Sequence, residues 1–127
     1  MKLKVLSIDD SITITTHLNY VFKDLEMVEW VGHAYNISEG KNIVEQVSPD
    51  VILLDIMVNE ESGFDLLSFV KCKFPEIKVF MLSNLTDQIY VTKSKQLGAC
   101  HFIDKSYEFE TIPGLLIEAF ENKRSLN

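Results

Sequence analysis

Val51-Ile52-Leu53-Leu54-Asp55 sets four consecutive apolar residues against a carboxylate, and the pattern has a twin nearer the start of the chain in Val5-Leu6-Ser7-Ile8-Asp9-Asp10. Short runs this rich in Val, Ile and Leu, with helix-length amphipathic stretches between them, fit parallel strands covered on both faces. Open α/β sheets bind their ligands at the carboxyl ends of such strands, which is where Asp9, Asp10 and Asp55 stand. Two unit charges about 4 Å apart repel by roughly 4 kcal/mol at an effective dielectric near 20, so three gathered acids need a cation, a basic side chain or protonation. The arrangement reads as a cation site.

Outward from these two runs, strand and helix periods alternate without a break in composition. Leu3 to Ile8 reads as a first strand, and Ser11 or Asp10 caps a helix to about Asp24 with an apolar stripe of Ile14, Leu18, Val21, Phe22 and Leu25. Met27 to Ala34 is a second strand, and a helix from Asn36 or Ser38 stops before Pro49. After the third strand, Val51 to Leu54, Gly63 opens a helix that ends near Phe74-Pro75. Ile77 to Leu82 is a fourth strand, Thr86 to Leu97 a helix closed by Gly98, Cys100 to Ile103 a fifth strand, and Tyr107 to about Lys123 a last helix interrupted early by Pro113. Glu121 to Asn127 is polar and expected to fray. Right-handed crossovers prune the topology to a doubly wound parallel sheet in the order 2-1-3-4-5, with helices on both faces. The switch point between strands one and three then gathers Asp9, Asp10 and Asp55, with Ser83 and Lys105 ending strands four and five nearby. Carboxylate oxygens suit a hard cation such as Mg²⁺, and Ser83 with Lys105 suits an anion such as phosphate.

At 127 residues the chain fits one core that buries roughly two-thirds of its unfolded surface. Residues 1–123 read as one domain and 124–127 as a polar tail. A net charge of −7 disfavours direct nucleic-acid binding by this domain, since phosphate contacts draw on clustered Lys and Arg. Cys72 and Cys100 lack zinc-type spacing; Cys100 is expected in the core and Cys72 half-buried on the third helix. His17, His33 and His101 show no ligand spacing and are expected at the surface or satisfied in partly buried positions. With no apolar stretch of spanning length and no leader pattern, the expected place is the cytoplasm, away from membranes.

The acid pair Asp9-Asp10, Asp55, Gly63, Ser83, the Leu97-Gly98-Ala99 turn, Phe102 and Lys105 together resemble the receiver domain of bacterial two-component response regulators, of the single-domain chemotaxis type, over nearly the whole chain. The resemblance implies a flavodoxin-like (βα)5 fold and a phosphoryl group accepted on Asp55 from a sensor histidine kinase or histidine phosphotransfer protein. It implies Mg²⁺, with Mn²⁺ as a substitute, held by Asp9, Asp10, Asp55 and the Met57 backbone carbonyl. Phosphate oxygens would be bound by Ser83, Lys105 and the Asn84 backbone. Ser83 and Phe102 would be the switch, reported on the face of the fourth helix, fifth strand and fifth helix to a downstream protein target or output domain, with homodimerisation through that face. The activity implied is self-catalysed phosphotransfer and autodephosphorylation, without turnover of an outside metabolite.

The chain departs from the family pattern at several places. Asn59 stands where proline is common in receivers, Asn84 where a small residue is usual, Leu85 where polar residues are frequent, and Ser106 where proline commonly follows the lysine. Phe102 lacks the hydroxyl of the tyrosine many relatives carry. Asn59, Asn84 and Ser106 motivate one alternative, a degenerate receiver acting as a phosphorylation-independent binding module; another is the N-terminal receiver of a longer DNA-binding regulator. A haloacid-dehalogenase-like phosphatase needs a second acid where Met57 stands, and a flavin carrier needs a hydroxyl- or glycine-rich loop where Asp10-Ser11-Ile12 stands. Tyr107, Phe109, Ile112 and Phe120 are expected to pack the last helix on the sheet or leave an apolar patch.

Overall fold

Apolar residues on both faces of the central strands dictate a sheet buried between two helical layers, and the computed structural model, which describes residues 1–126, has that form. The strands are β1 (Leu3–Ile8), β2 (Val28–Ala34), β3 (Val51–Leu54), β4 (Lys78–Ser83) and β5 (His101–Asp104); the helices are α1 (Ile12–Lys23), α2 (Ile37–Val47), α3 (Gly63–Lys73), α4 (Gln88–Gln96) and α5 (Ile112–Ser125). All sheet pairings are parallel, in the order β2-β1-β3-β4-β5, so the doubly wound order expected from the sequence is the observed one.

Alternation along each strand splits the core in two. Leu3, Val5, Val51, Leu53, Phe80, Leu82 and Ile103 point to the layer of α1 and α5, where they meet Ile14, Leu18, Phe22 and Leu116. Leu6, Ile8, Ile52, Leu54, Val79 and Met81 point the other way, onto Val44 of α2 and Leu67 and Val70 of α3. Four-residue β3 is buried along its whole length, as a central parallel strand must be. Ser11 caps α1 by accepting from the Ile14 N–H, and Asn36 caps α2 by accepting from the Glu39 N–H, which satisfies orphan donors in each first turn.

Four expectations are corrected. Pro113 sits in the first turn of α5 rather than interrupting it, because its missing N–H falls where no intrahelical acceptor exists, and a short 3₁₀ turn (Phe109–Thr111) precedes it. The polar stretch from Glu121 continues α5 through Ser125, two residues into the expected tail, while Asn127 lies outside the described residues. Lys123 anchors that end, donating to Asp50 Oδ2 at 2.8 Å and to the Lys2 carbonyl at 2.8 Å. Cys100 is exposed rather than in the core, since it precedes edge strand β5, and Cys72 is exposed on the outer side of α3. The aromatic cluster divides: Ile112 is buried and Phe109 and Phe120 pack beside it, but Tyr107 stays 82% exposed in the loop after β5.

The loop after β3 folds into a two-residue antiparallel ribbon, Met57–Val58 against Glu61–Ser62, which strand periodicity did not foretell. Its turn places Asn59 at φ 51° and Glu60 at φ 68°, the left-handed pair demanded by a tight hairpin of this twist. Asn tolerates that region; Glu does not do so readily. Gly63 closes the loop, and a Cβ there would lie 2.0 Å from the carbonyl oxygen of Asp55, so only glycine lets α3 start this close to β3.

Two substitutions test this loop. Gly63→Ala is expected to lower unfolding stability by about 1–3 kcal/mol through overpacking against the Asp55 backbone, read by urea denaturation. Glu60→Gly is expected to raise it by about 0.5 kcal/mol, because relief of left-handed strain exceeds the entropy glycine adds to the unfolded chain.

Candidate functional site: an acid cluster bridged by lysine

Parallel register delivers the site residues to one end of the sheet. The hydrogen-bond ladder runs past the last strand residues: the Asp9 N–H donates to the Ala34 carbonyl, the Asp55 N–H to the Ile8 carbonyl and the Lys105 N–H to the Ser83 carbonyl, all between 3.0 and 3.1 Å. The backbones of these three residues thus continue the sheet's hydrogen-bond ladder beyond the strand ends.

Their side chains converge. One carboxylate oxygen each from Asp9, Asp10 and Asp55 lies within 4.8 Å of the others. Asp9 and Asp55 are buried and Asp10 is exposed at the mouth. The Lys105 ammonium stands 2.7 Å from Oδ2 of Asp9 and 2.7 Å from Oδ2 of Asp55. The remaining oxygens take backbone donors: Ser11 N–H to Asp9 Oδ1 at 2.8 Å, Ile56 N–H to Asp55 Oδ1 at 2.7 Å and Asn59 N–H to Asp10 Oδ2 at 3.0 Å. A proline at position 59 has no N–H, so this last bond is specific to the departure the chain makes there.

Burial pushes the Asp9 carboxyl above its usual range, and Lys105 and the Ser11 N–H pull it only part of the way back. Burial alone would lower the Lys105 ammonium, yet its hydrogen bond to Asp55 and its attraction to the Asp9 carboxylate outweigh that cost and leave its pKa raised, so it stays charged. Asp9 Oδ2 is buried without a well-formed hydrogen bond and relies on the ion pair with Lys105. A half-satisfied buried oxygen beside two further carboxylates is a donor set that fits a hard divalent cation.

The other expected site residues lie on β4, on β5 and in the loops after β3 and β4. Ser83 is buried at the end of β4, and its Oγ accepts from the Leu85 N–H at 3.1 Å, closing a local turn. Asn84 accepts from the Ser106 hydroxyl at 3.1 Å, tying the loops after β4 and β5 together. Met57 is 49% exposed on the small ribbon. Phe102 is half-buried on edge strand β5, packed on the α2–α4 side of the core beside an open hollow lined by Val91, Ser94 and Lys95. All peptide bonds among the described residues are trans, Lys105–Ser106 included.

Sequence reasoning missed a second group at this edge. The His33 ring lies against the Asp9 carbonyl at 2.9 Å and the Ser7 hydroxyl at 2.6 Å, and burial holds its pKa below the ordinary histidine value. Ser7 was the available signal: a hydroxyl inside an otherwise apolar buried strand needs a partner.

The family model of the response regulator receiver domain matches residues 5–116. Chemotaxis protein CheY of Listeria monocytogenes is 32% identical over 119 residues, which span 94% of this chain and 96% of that protein. The uncharacterized transcriptional regulatory protein YhcZ of Bacillus subtilis is 26% identical across 87% of this chain and 51% of its own length. Among solved structures, the response regulator domain of Thermotoga maritima CheB superposes with a TM-score of 0.81 at 26% identity, covering 96% of each chain. The receiver domain of NarL from Mycobacterium tuberculosis, at 21% identity, shares the fold with a TM-score of 0.85 over 94% of this chain and 97% of its own. An acid cluster at the switch point of a 2-1-3-4-5 sheet, a family match across most of the chain and a relative of nearly equal length agree: this chain belongs to the response regulator receiver domains of two-component signalling.

Proposed function

We propose that residues 1–123 form a phosphorylation-controlled switch in which Asp55 accepts a phosphoryl group from a sensor histidine kinase or a histidine phosphotransfer protein. The observation that carries this reading is the Lys105 ammonium 2.7 Å from both Asp55 and Asp9 within a three-acid cluster. A carboxylate is a weak nucleophile unless the phosphoryl group is held in line and its equatorial oxygens are neutralised. Asp9, Asp10, Asp55 and the Met57 carbonyl would hold Mg²⁺, or Mn²⁺ in its place, and the bound ion would supply charge neutralisation at the phosphoryl oxygens.

The chain's own groups do the rest. The Ile56 N–H orients Asp55 by holding Oδ1, which leaves Oδ2 to attack phosphorus as the phosphorus–nitrogen bond to the donor imidazole breaks. Lys105 moves from the carboxylates to a phosphoryl oxygen, and the Ser83 hydroxyl with the Asn84 N–H takes another. Drawing Ser83 inward costs its bond to the Leu85 N–H, so the loop after β4 changes shape. Space opened there lets Phe102 turn from half-buried to buried, and the face of α4, β5 and α5 reports the change to a protein target. The same face is the surface through which two copies would pair. Water attacking the acyl phosphate reverses the state.

Intact-mass spectrometry after incubation with Mg²⁺ and acetyl phosphate tests the reading. One phosphoryl adduct is expected on the native chain and none on Asp55→Ala or after chelation of Mg²⁺. An adduct that persists in Asp55→Ala contradicts the assignment. No adduct on the native chain, with acetyl phosphate and with phosphorylated histidine kinases alike, leaves a phosphorylation-independent binding module.

A further inference from the structure

A half-buried polar chain runs from the outer strand of the sheet to the backbone of Asp9, and the phosphoacceptor chemistry does not use it. The Trp30 indole N–H donates to Ser7 Oγ at 2.9 Å, Ser7 Oγ lies 2.6 Å from His33 Nδ1, and His33 Nε2 lies 2.9 Å from the Asp9 carbonyl oxygen. Trp30 and His33 are three residues apart on β2, a spacing that normally puts side chains on opposite faces of a strand. The register shift opposite Val5 and Leu6 leaves Val31 unpaired and brings both rings to one face, over Val5 and Ser7.

For the neutral imidazole the bonding groups admit one arrangement of protons, assigned from the network. A carbonyl oxygen only accepts, so Nε2 carries hydrogen; an indole N–H only donates, so Ser7 accepts from it and gives its own hydrogen to Nδ1. Thr15 gives its hydroxyl hydrogen to the Ser11 carbonyl and stands 3.1 Å from His33 Nε2 as a second acceptor. Edge-on contacts with Trp30 and Tyr35, at 6.1 and 4.6 Å between ring centroids, hold the imidazole from the sides. The ring is thus fixed at both nitrogens and by its neighbours.

What it touches matters more than how it is held. The Asp9 carbonyl belongs to the peptide that joins Asp9 to Asp10, and that unit is planar. With the Asp9 N–H already bound to Ala34, pinning the carbonyl fixes the peptide planes on both sides of Asp9 and the direction in which Asp10 leaves the strand.

We infer that His33, braced by Ser7 and Trp30, is a positioning residue that aims the Asp9 and Asp10 carboxylates at a shared divalent cation. The inference rests on the cation reading of the acid cluster. His33 touches neither carboxylate; it acts through the main chain.

Calorimetric titration of Mg²⁺ into the native chain, His33→Phe and His33→Gln, with urea denaturation of each, tests it. His33→Phe removes the donor and is expected to weaken Mg²⁺ binding about ten-fold, the ordinary cost of losing a group that orients a metal ligand. His33→Gln keeps an N–H within reach of the carbonyl and is expected to recover most of that affinity, which a role confined to packing would not produce. Ser7→Ala, which frees the ring at Nδ1, is the second variant should His33→Phe fail to fold, with a smaller loss in the same direction expected. Affinity in His33→Phe within about two-fold of the native chain, or a glutamine variant as weak as the phenylalanine one, overturns the inference. Failure of the native chain to take up Mg²⁺ overturns the cation reading and this inference together, an outcome distinct from native binding with an indifferent variant.

Discussion

Lys105 stands 2.7 Å from two buried carboxylates, and the ligand end of the sheet depends on that placement. Like charges at roughly 4 Å cost about 4 kcal/mol per pair at an intermediate dielectric, so Asp9, Asp10 and Asp55 gather only because a cation stands among them. The cation must come from another strand, since the acids already end β1 and β3. Parallel pairing supplies it: β4 lies beside β3, β5 lies beside β4, and the residue after β5 is Lys105. Strand order, register and charge are thus one constraint seen at three scales. Gly63 belongs to it as well, because α3 can start beside the Asp55 carbonyl only where no Cβ intervenes.

The same constraint supports the proposed switch. A lysine that compensates two carboxylates competes with any divalent cation for the same oxygens, and a phosphoryl group on Asp55 would give the ammonium a stronger partner. Each such exchange shifts charge within a site whose walls are strand ends and whose rim is loops. The rim is linked: Asn84 and Ser106 join the loops after β4 and β5, and the Asn59 N–H joins the ribbon after β3 to Asp10. Asp55 is joined to the end of β4 through Lys105, whose ammonium meets the Asp55 carboxylate and whose N–H donates to the Ser83 carbonyl. No helix among the described residues is long and apolar enough to cross a membrane.

Much of this was legible in the sequence, for physical reasons that also mark where reading stops. Val51 to Leu54 admits little other than a buried central strand, and an acid after each of two such runs points to one sheet edge. Lys105 was legible because a lysine just past a strand end has one short direction to reach. Cys100 was misplaced because apolar character does not say whether a residue just before a short edge strand faces the core or solvent. The ribbon at Met57 to Ser62 left no periodic trace, and its left-handed turn is filled by Asn59 and Glu60 rather than by the glycine that announces such turns. The His33 chain was hidden by the bulge at Val31: strict alternation puts Trp30 and His33 on opposite faces, and a one-residue irregularity in register lies below what side-chain pattern resolves.

The central claim is that Lys105 offsets the acid cluster and occupies the place of a divalent cation. Urea denaturation of the native chain and Lys105→Met, each with and without saturating Mg²⁺, tests it most directly. Without Mg²⁺ the variant is predicted to lose about 3–5 kcal/mol, the usual cost of removing one partner from a buried ion pair. Mg²⁺ is predicted to return more stability to the variant than it adds to the native chain, because nothing then competes for the oxygens. A Lys105→Met chain as stable as the native one, with Mg²⁺ adding equally to both, would contradict the account.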